Sequence, residues 1–131
     1  MIDGAHREWS EIGDGVAAFT QLPGTWGWSN SGLVIGDGAS LLVDTLFDAA
    51  LTKSMLAGAA GLVEGSPIRT LVNTHANGDH CYGNSVLGVE VDVVAERRHA
   101  AAGRDREARL DHAAEHDAEP EGARRVDHPD R

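Results

Sequence analysis

The sequence is poor in cysteine, in basic residues and in long apolar runs, and each shortage excludes something. Its single cysteine, Cys81, cannot form a disulfide within the chain, which fits a reducing cytoplasm. The 11 Lys and Arg residues stand against 21 Asp and Glu, and the resulting net charge of −10 argues against nucleic acid or an anionic membrane as partner. No apolar run approaches the roughly 20 residues of a membrane span. The N-terminus also lacks the basic and apolar regions of a secretory signal, so we predict a cytoplasmic protein.

Large apolar residues become scarce near the C-terminal end of the sequence. Residues 96–131 hold 18 charged side chains among 36 residues, with Leu110 and Val126 as their only large apolar ones. Such a segment buries too little apolar surface to offset the entropy lost on ordering. We therefore predict one folded domain over residues 1–98 and a charged, disordered or weakly helical tail over residues 99–131.

Apolar segments separated by glycine-rich turns predict a sheet. Residues 15–22 give a modest strand signal that opens the domain. Residues 32–35 and 40–43 flank the turn 36–39, which contains Gly and Asp and is typical of a β-hairpin. Both hairpin strands are almost continuously apolar, which predicts a sheet covered on both faces.

The second half of the domain alternates helix and strand. Residues 48–63 have apolar side chains at helical spacing, with Thr45 or Asp48 able to cap the start. Residues 68–72 and 89–94 have the composition of short strands, and a short helix is expected between them. This order predicts an α/β architecture in which helices pack on a sheet.

The stretch Thr74-His75-Ala76-Asn77-Gly78-Asp79-His80 carries the chemistry. It follows a predicted strand, where α/β folds place functional loops. Three potential metal ligands occur within six residues, and Gly78 allows the backbone to turn tightly between them. Imidazole and carboxylate groups suit Zn²⁺ and also accept Fe or Mn. The alternative is an ordinary polar loop with two incidental histidines, but the preceding apolar strand and hairpin favour a site.

With this context, the stretch resembles the Thr-His-x-His-x-Asp-His motif of the metallo-β-lactamase superfamily. The hairpin ending in Asp44-Thr45 and the helix after it resemble the approach to that motif, so the similarity covers roughly residues 15–95. The resemblance implies the N-terminal half of an αββα sandwich. It also implies that His75 binds one metal site and that Asp79 and His80 bind a second, with Asp79 orienting or deprotonating the attacking water.

The sequence departs from the motif at Asn77, where the family has a second histidine. An amide oxygen is a weaker zinc ligand than imidazole, so we expect weak or water-mediated coordination by Asn77. The alternative is a loop-stabilising side chain that hydrogen-bonds the backbone nearby. Cys81 lies beside the candidate ligands but is expected to be a small buried residue. Trp26 and Trp28 would either line a substrate pocket or pack over the sheet edge.

A complete site of this family needs further ligands from a second half of the fold. The histidines that follow the motif, His99, His112, His116 and His128, lie in the charged segment with no apolar strand to position them. His112 and His116 are spaced i, i+4 and would share a metal only if that segment were helical. The resemblance therefore implies at most one zinc ion and a truncated, weakly active chain.

Three functions fit these observations. The first is a zinc-dependent hydrolase in which metal-activated water attacks an ester, thioester or amide-type small molecule. The others are a non-catalytic metal-binding fragment and a half-domain that pairs with another chain. An N-terminal half alone would expose an apolar sheet face, so self-association through that face is also expected. The acidic balance makes nucleic acid the least suitable substrate.

Overall fold

Short strands joined by turns build a six-stranded sheet in the computed structural model, which describes residues 6–96. Residues 1–5 and 97–131, and with them the predicted tail, lie outside the described part. The first four strands form an antiparallel meander, and the last two add to it in parallel, in the order β1-β2-β3-β4-β5-β6. They are β1 (His6–Gly13), β2 (Val16–Leu22), β3 (Ser31–Ile35), β4 (Ser40–Val43), β5 (Ile68–Asn73) and β6 (Asp92–Ala95).

Strand β1 is the element that the sequence did not predict, since we expected the domain to open at residue 15. Most of β1 is exposed, and its polar and charged residues lack an apolar alternation. It is held instead by pairing with β2, where Trp9 lies opposite Phe19. The Trp9 indole N–H also donates to the carbonyl of Met55 (2.9 Å), which fastens the edge strand to the helix.

The other strands occur where the sequence predicts them. The hairpin β3–β4 turns at residues 36–39, where the Gly36 N–H donates to the Ala39 carbonyl (3.0 Å) and Gly38 has a φ of +81°. The strand predicted over residues 89–94 is shorter, since β6 starts at Asp92. The cause is a turn closed by the Val91 N–H and the Gly88 carbonyl (3.0 Å).

Helix α1 (Ala49–Ala59) connects β4 to β5. Asp48 caps it, since its Oδ1 accepts from the N–H of Leu51 (2.7 Å). The helix ends earlier than the predicted residue 63, in a turn in which the Leu62 N–H donates to the Ala59 carbonyl (2.9 Å). Its buried side chains face the sheet. No helix among residues 6–96 is long and apolar enough to cross a membrane.

The core lies between α1 and one face of the sheet. On that face the register places Ala17, Leu33, Leu42 and Leu71 in one cross-strand row, and all four are buried. Together with Phe19 from β2 and Leu46, Met55 and Ala59 from the connection, they form the buried cluster. Burial of such side chains, worth about 25 cal/mol per Å² of apolar area, is what holds the sheet and helix together.

The opposite face of the sheet is apolar too, but only partly buried. Two cross-strand rows make up this open face, and no residue in either row is fully buried. Val34 and Val94 are 45% and 52% exposed. The expectation that the hairpin is covered on both faces is therefore wrong for the described part of the chain. The rows are Val16, Val34, Leu41, Thr70 and Asp92, and Ala18, Gly32, Val43, Val72 and Val94.

Candidate metal centre

The candidate site forms where the carboxyl ends of β4 and β5 meet. These strands are parallel neighbours, so Asp44 after β4 lies beside Thr74 after β5. The Thr74 N–H donates to Asp44 Oδ1 and its hydroxyl donates to Asp44 Oδ2, both at 2.7 Å. Asp44 is 4% exposed and has a φ of 61°, a left-handed conformation uncommon for a non-glycine residue. This buried carboxylate is the hub of the site.

Asp44 also orients His80. Its Oδ2 lies 2.9 Å from His80 Nδ1. Since a carboxylate only accepts hydrogen bonds, the Nδ1 atom carries the proton and donates it. In the neutral ring, Nε2 of His80 is then the atom that can coordinate a metal, which is the usual arrangement of a carboxylate behind a metal-binding histidine.

Thr74 orients the ring of His75 in a similar way. The Thr74 hydroxyl has one proton, which it donates to Asp44, so it accepts from His75 Nδ1 at 2.9 Å. In the neutral ring, Nε2 of His75 is then also the atom that can coordinate a metal. The two histidine rings lie close, with 4.2 Å between their centroids. One buried carboxylate thus selects the tautomer of both predicted ligands.

Asp79 lies beside this pair, and its geometry fits one metal ion in part. Its Oδ2 is 3.7 Å from His80 Nε2. Zinc bonds of about 2.0–2.1 Å to each atom would span that separation, and imidazole with carboxylate is a donor set that zinc accepts. Among residues 6–96, no group of three His, Cys, Asp or Glu residues is arranged to hold a metal. The geometry is therefore that of a two-donor half-site with His75 adjacent.

Asn77, the departure from the motif, occupies the N-cap position of helix α2 (Gly78–Cys81). It is exposed, and its side chain forms no capping hydrogen bond with that helix. Its amide instead lines a cavity that Asp79 also lines. The amide is available to a ligand there, while its coordination of a metal stays a prediction.

Three residues hold the backbone of His80 in place through hydrogen bonds. The carbonyl of His80 accepts from the Asn73 Nδ2 and from the N–H of Thr45, both at 3.0 Å. Asn84, in a 3₁₀ turn (Asn84–Val86), donates to Asn73 Oδ1 (2.7 Å) and accepts from the Thr45 hydroxyl (2.8 Å). This polar clamp of Thr45, Asn73 and Asn84 holds His80 in place, and all three side chains are satisfied.

Ser29 holds the backbone of Asp79 in the same way. Its hydroxyl donates to the Asp79 carbonyl from the loop before β3, fifty residues earlier in the chain. Cys81 donates through its Sγ to the Asn77 carbonyl (3.3 Å) and is buried, in agreement with a packing residue. The backbone carbonyls of Asp79 and His80 are therefore both hydrogen-bonded, which limits movement of these two side chains.

Glycine at position 78 is required for a different reason from the tight turn that the sequence suggested. Its φ is not positive, and the residue lies inside α2. The ring of Tyr82, one helical turn later, rests directly on it, and a Cβ at position 78 would overlap that ring. Glycine is thus needed here because an aromatic side chain approaches the backbone closely.

A cavity of about 420 Å³ opens beside the half-site. Its apolar wall is aromatic: the Trp26 and Phe47 centroids are 5.3 Å apart, and those of Phe47 and Tyr82 are 5.9 Å apart. Trp28, by contrast, lies under the Arg7 guanidinium, 4.5 Å from its ring centroid, and takes no part in the wall. The complete lining is Trp26, Gly27, Phe47, Asn77, Gly78, Asp79 and Tyr82.

Sequence reasoning identified the candidate ligands but missed most of what supports them. Asp44 could have been found, since it ends an apolar strand predicted next to the strand that ends at Thr74. Ser29, Asn73 and Asn84 gave no comparable signal, because each acts through a backbone carbonyl that the sequence does not single out.

Residues 24–131 match the family model of the metallo-beta-lactamase superfamily. Among proteins with curated functions, no significant match was found. The fold is similar to a metallo beta lactamase from Hirschia baltica, with 26% identity and a TM-score of 0.65 over 77% of this chain and 48% of that one. It is also similar to FIM-1 from Pseudomonas aeruginosa in the mono-zinc form, with 24% identity and a TM-score of 0.63 over 77% of this chain and 46% of that one. A metallo-beta-lactamase from Pontibacter korlensis has 22% identity and a TM-score of 0.66 over 78% of this chain and 49% of that one. This chain therefore spans about half the length of these structures.

Proposed function

Because this chain belongs to the metallo-beta-lactamase superfamily, we propose that it is a zinc-dependent hydrolase of an ester, thioester or amide-type small molecule. One observation carries the proposal. Asp44, directly and through Thr74, engages the Nδ1 atoms of both His80 and His75, which leaves both Nε2 atoms available beside Asp79. An ordinary polar loop would not require hydrogen bonds that hold two histidines in the same tautomer.

In this proposal His75, Asp79 and His80 hold the metal, and Asn77 contributes weakly or through water. A bound zinc ion would supply a water molecule of lowered pKa as nucleophile. The Asp79 carboxylate would orient that water by accepting a hydrogen bond from it. The structural neighbour FIM-1 was solved in a mono-zinc form, and we propose one ion here as well.

We also propose that the activity is weak. Of the three proposed ligands, Asp79 and His80 have a separation that fits a shared ion and His75 lies beside them, and with an amide at Asn77 this set binds zinc less firmly than a full ligand set. The alternative is a non-catalytic metal-binding half-domain that pairs with another chain or with itself. The open face favours this alternative, since an apolar sheet face left half-exposed is typical of an interaction surface. On its acidic balance we expect no nucleic-acid substrate, and on its single cysteine we propose a cytoplasmic location.

The first experiment measures zinc per chain by elemental analysis, and the zinc affinity by competition with a chromophoric chelator. The test variant changes His75, Asp79 and His80 to Ala. A matched control changes His112 and His116 to Ala, which removes two other histidines of the same chain. We expect about one zinc in the wild type and in the control, and none in the test variant. Zinc lost in the control but retained in the test variant would reject the proposed site.

Turnover separates the hydrolase from its alternative. Esters, thioesters and lactams are assayed with and without added zinc, using the wild type and Asp79→Ala. A zinc-dependent rate that Asp79→Ala abolishes supports the hydrolase. Stoichiometric zinc without turnover of any of these substrates would favour the non-catalytic half-domain.

A further inference from the structure

We propose that Gln21 and Ser29 are positioning residues that hold Asp79 at the metal centre from strand β2. This inference rests on the proposed function and adds to it a support that lies outside the motif. Gln21 follows Ala17 and Phe19 on the core face of β2 and is itself 3% exposed. A polar side chain in such a row is unfavourable unless it is fully hydrogen-bonded. Its presence there therefore points to a role other than packing.

The side-chain amide of Gln21 is only half satisfied. Its Nε2 donates to the backbone carbonyl of Ser29 at 2.7 Å. Its Oε1 is the one buried side-chain nitrogen or oxygen atom among residues 6–96 that has no hydrogen-bond partner. Most buried polar atoms in proteins are paired, so the unpaired acceptor makes this side chain a costly way to fill the core. The amide is thus explained by the bond that its donor makes to Ser29.

Ser29 carries this restraint to the metal centre. It is 8% exposed, and its hydroxyl donates to the backbone carbonyl of Asp79. Gln21 therefore holds the carbonyl of Ser29, while the hydroxyl of Ser29 holds the backbone of Asp79. Helix α2, which contains Asp79, has only four residues and is too short to keep its geometry without such contacts. Two successive hydrogen bonds thus connect the core face of β2 to a proposed metal ligand.

Asp79 and His80 are held by separate supports. The polar clamp and Asp44 hold His80, whereas the hydroxyl of Ser29 bonds to Asp79. Loss of that hydroxyl should therefore displace Asp79 while His80 keeps its place. The 3.7 Å separation between Asp79 Oδ2 and His80 Nε2, which a zinc ion would span, is then no longer maintained.

The test compares two buried serines whose hydroxyls both donate to a backbone carbonyl. Ser29→Ala removes the bond to Asp79. Ser40→Ala removes a bond to the carbonyl of Ser66 (2.6 Å) at the start of β4, the end away from the site. We expect Ser29→Ala to lower the zinc affinity of the full-length chain by about tenfold and to change the absorption spectrum of bound cobalt, because the ligand geometry differs. Ser40→Ala should alter neither.

Gln21→Met tests the first of the two bonds. The substitution keeps the length of the side chain and removes both the donor and the unpaired acceptor, so its effects on stability oppose each other. We expect the urea midpoint of the metal-free chain to move by less than about 0.5 M while the zinc affinity falls by about threefold. A residue with a purely structural role would show the opposite pattern, with a lower midpoint and an unchanged zinc affinity of the folded chain.

Hydrogen exchange in the metal-free chain separates a failure of this inference from a failure of the proposed function. The Tyr82 N–H donates to the Gly78 carbonyl at 3.0 Å, at the end of α2. We expect this amide to exchange about three- to tenfold faster in Ser29→Ala and Gln21→Met than in Ser40→Ala. A wild type without zinc would reject the proposed function, and the exchange rates would then decide the inference. Unchanged exchange in Ser29→Ala, or equal losses of zinc affinity in the two serine variants, would overturn it.

Discussion

Leu42 and Val43 are adjacent on β4, yet they lie in opposite environments. Leu42 is fully buried against α1, whereas Val43 belongs to the open face. The two faces have similar apolar composition, so composition alone does not decide which of them is covered. The contrast shows that, within residues 6–96, side chains on the open face gain less from burial than side chains on the core face.

The largest expected effect compares these two neighbours directly. Leu42→Ala should lower the free energy of unfolding by about 2–5 kcal/mol, because it opens a cavity in the packed core. Val43→Ala should lower it by less than about 1 kcal/mol, because its side chain is already partly in water. Urea unfolding of both variants at low protein concentration measures the difference. Equal losses would mean that the open face is covered in solution.

The second comparison sets a carboxylate inside the site against one on the open face. Asp44→Asn replaces the acceptor of His80 Nδ1 by an amide and allows that ring to adopt the other tautomer, with Nε2 protonated. We expect zinc affinity to fall about 10- to 100-fold. Asp92→Asn, which removes the same charge from the open face, should leave it nearly unchanged.

Competitive zinc titration distinguishes these outcomes. If Asp44→Asn and Asp92→Asn bound zinc alike, the tautomers of His75 and His80 would not govern the metal centre. A parallel measurement of unfolding separates lost orientation from lost stability, since a folded variant with weak zinc binding is the expected result.

These contrasts also explain what the sequence could and could not predict. Strands β2 to β5 and the Asp48 cap follow from local patterns, namely apolar runs, Gly-containing turns and a side-chain oxygen before a helix. The proximity of His75 and Asp79 to His80 follows from their closeness in the sequence, whereas their binding of a metal stays a prediction. Strand β1 does not, because it is exposed and stabilised by pairing with β2 rather than by an apolar pattern.

The supports of the site depend on contacts between distant parts of the chain. The Ser29 hydroxyl reaches a carbonyl 50 residues away, and Asn73 and Asn84 join only because β5 and the following turn pack together. No local pattern encodes such pairs. Tyr82 and Gly78 are near neighbours on one helix, but glycine in a polar stretch indicates a turn more readily than a close aromatic contact.

A third prediction tests whether the open face is an interaction surface. We expect the wild-type chain to self-associate with rising concentration, as seen by sedimentation equilibrium. Val34→Lys places a charge in the middle of that face and should weaken association by about tenfold or more, because burying an unpaired charge is unfavourable. Val89→Lys adds the same charge at an exposed position before β6, outside the sheet, and serves as control. An equal effect of both would point to net charge rather than to this face.

The smallest expected effect lies on the covered side of the sheet, at the start of α1. Asp48→Ala removes the acceptor of the Leu51 N–H and should lower the free energy of unfolding by about 1 kcal/mol. Asp37→Ala, in the exposed hairpin turn, should change it by less than about 0.5 kcal/mol. Urea unfolding measures the difference between the two variants when both curves are fitted with the same dependence of the free energy of unfolding on urea concentration. Because α1 covers only one face, the loss in Asp48→Ala should leave the self-association of the open face unchanged. A change in association with this variant would show instead that the two faces are coupled through the sheet.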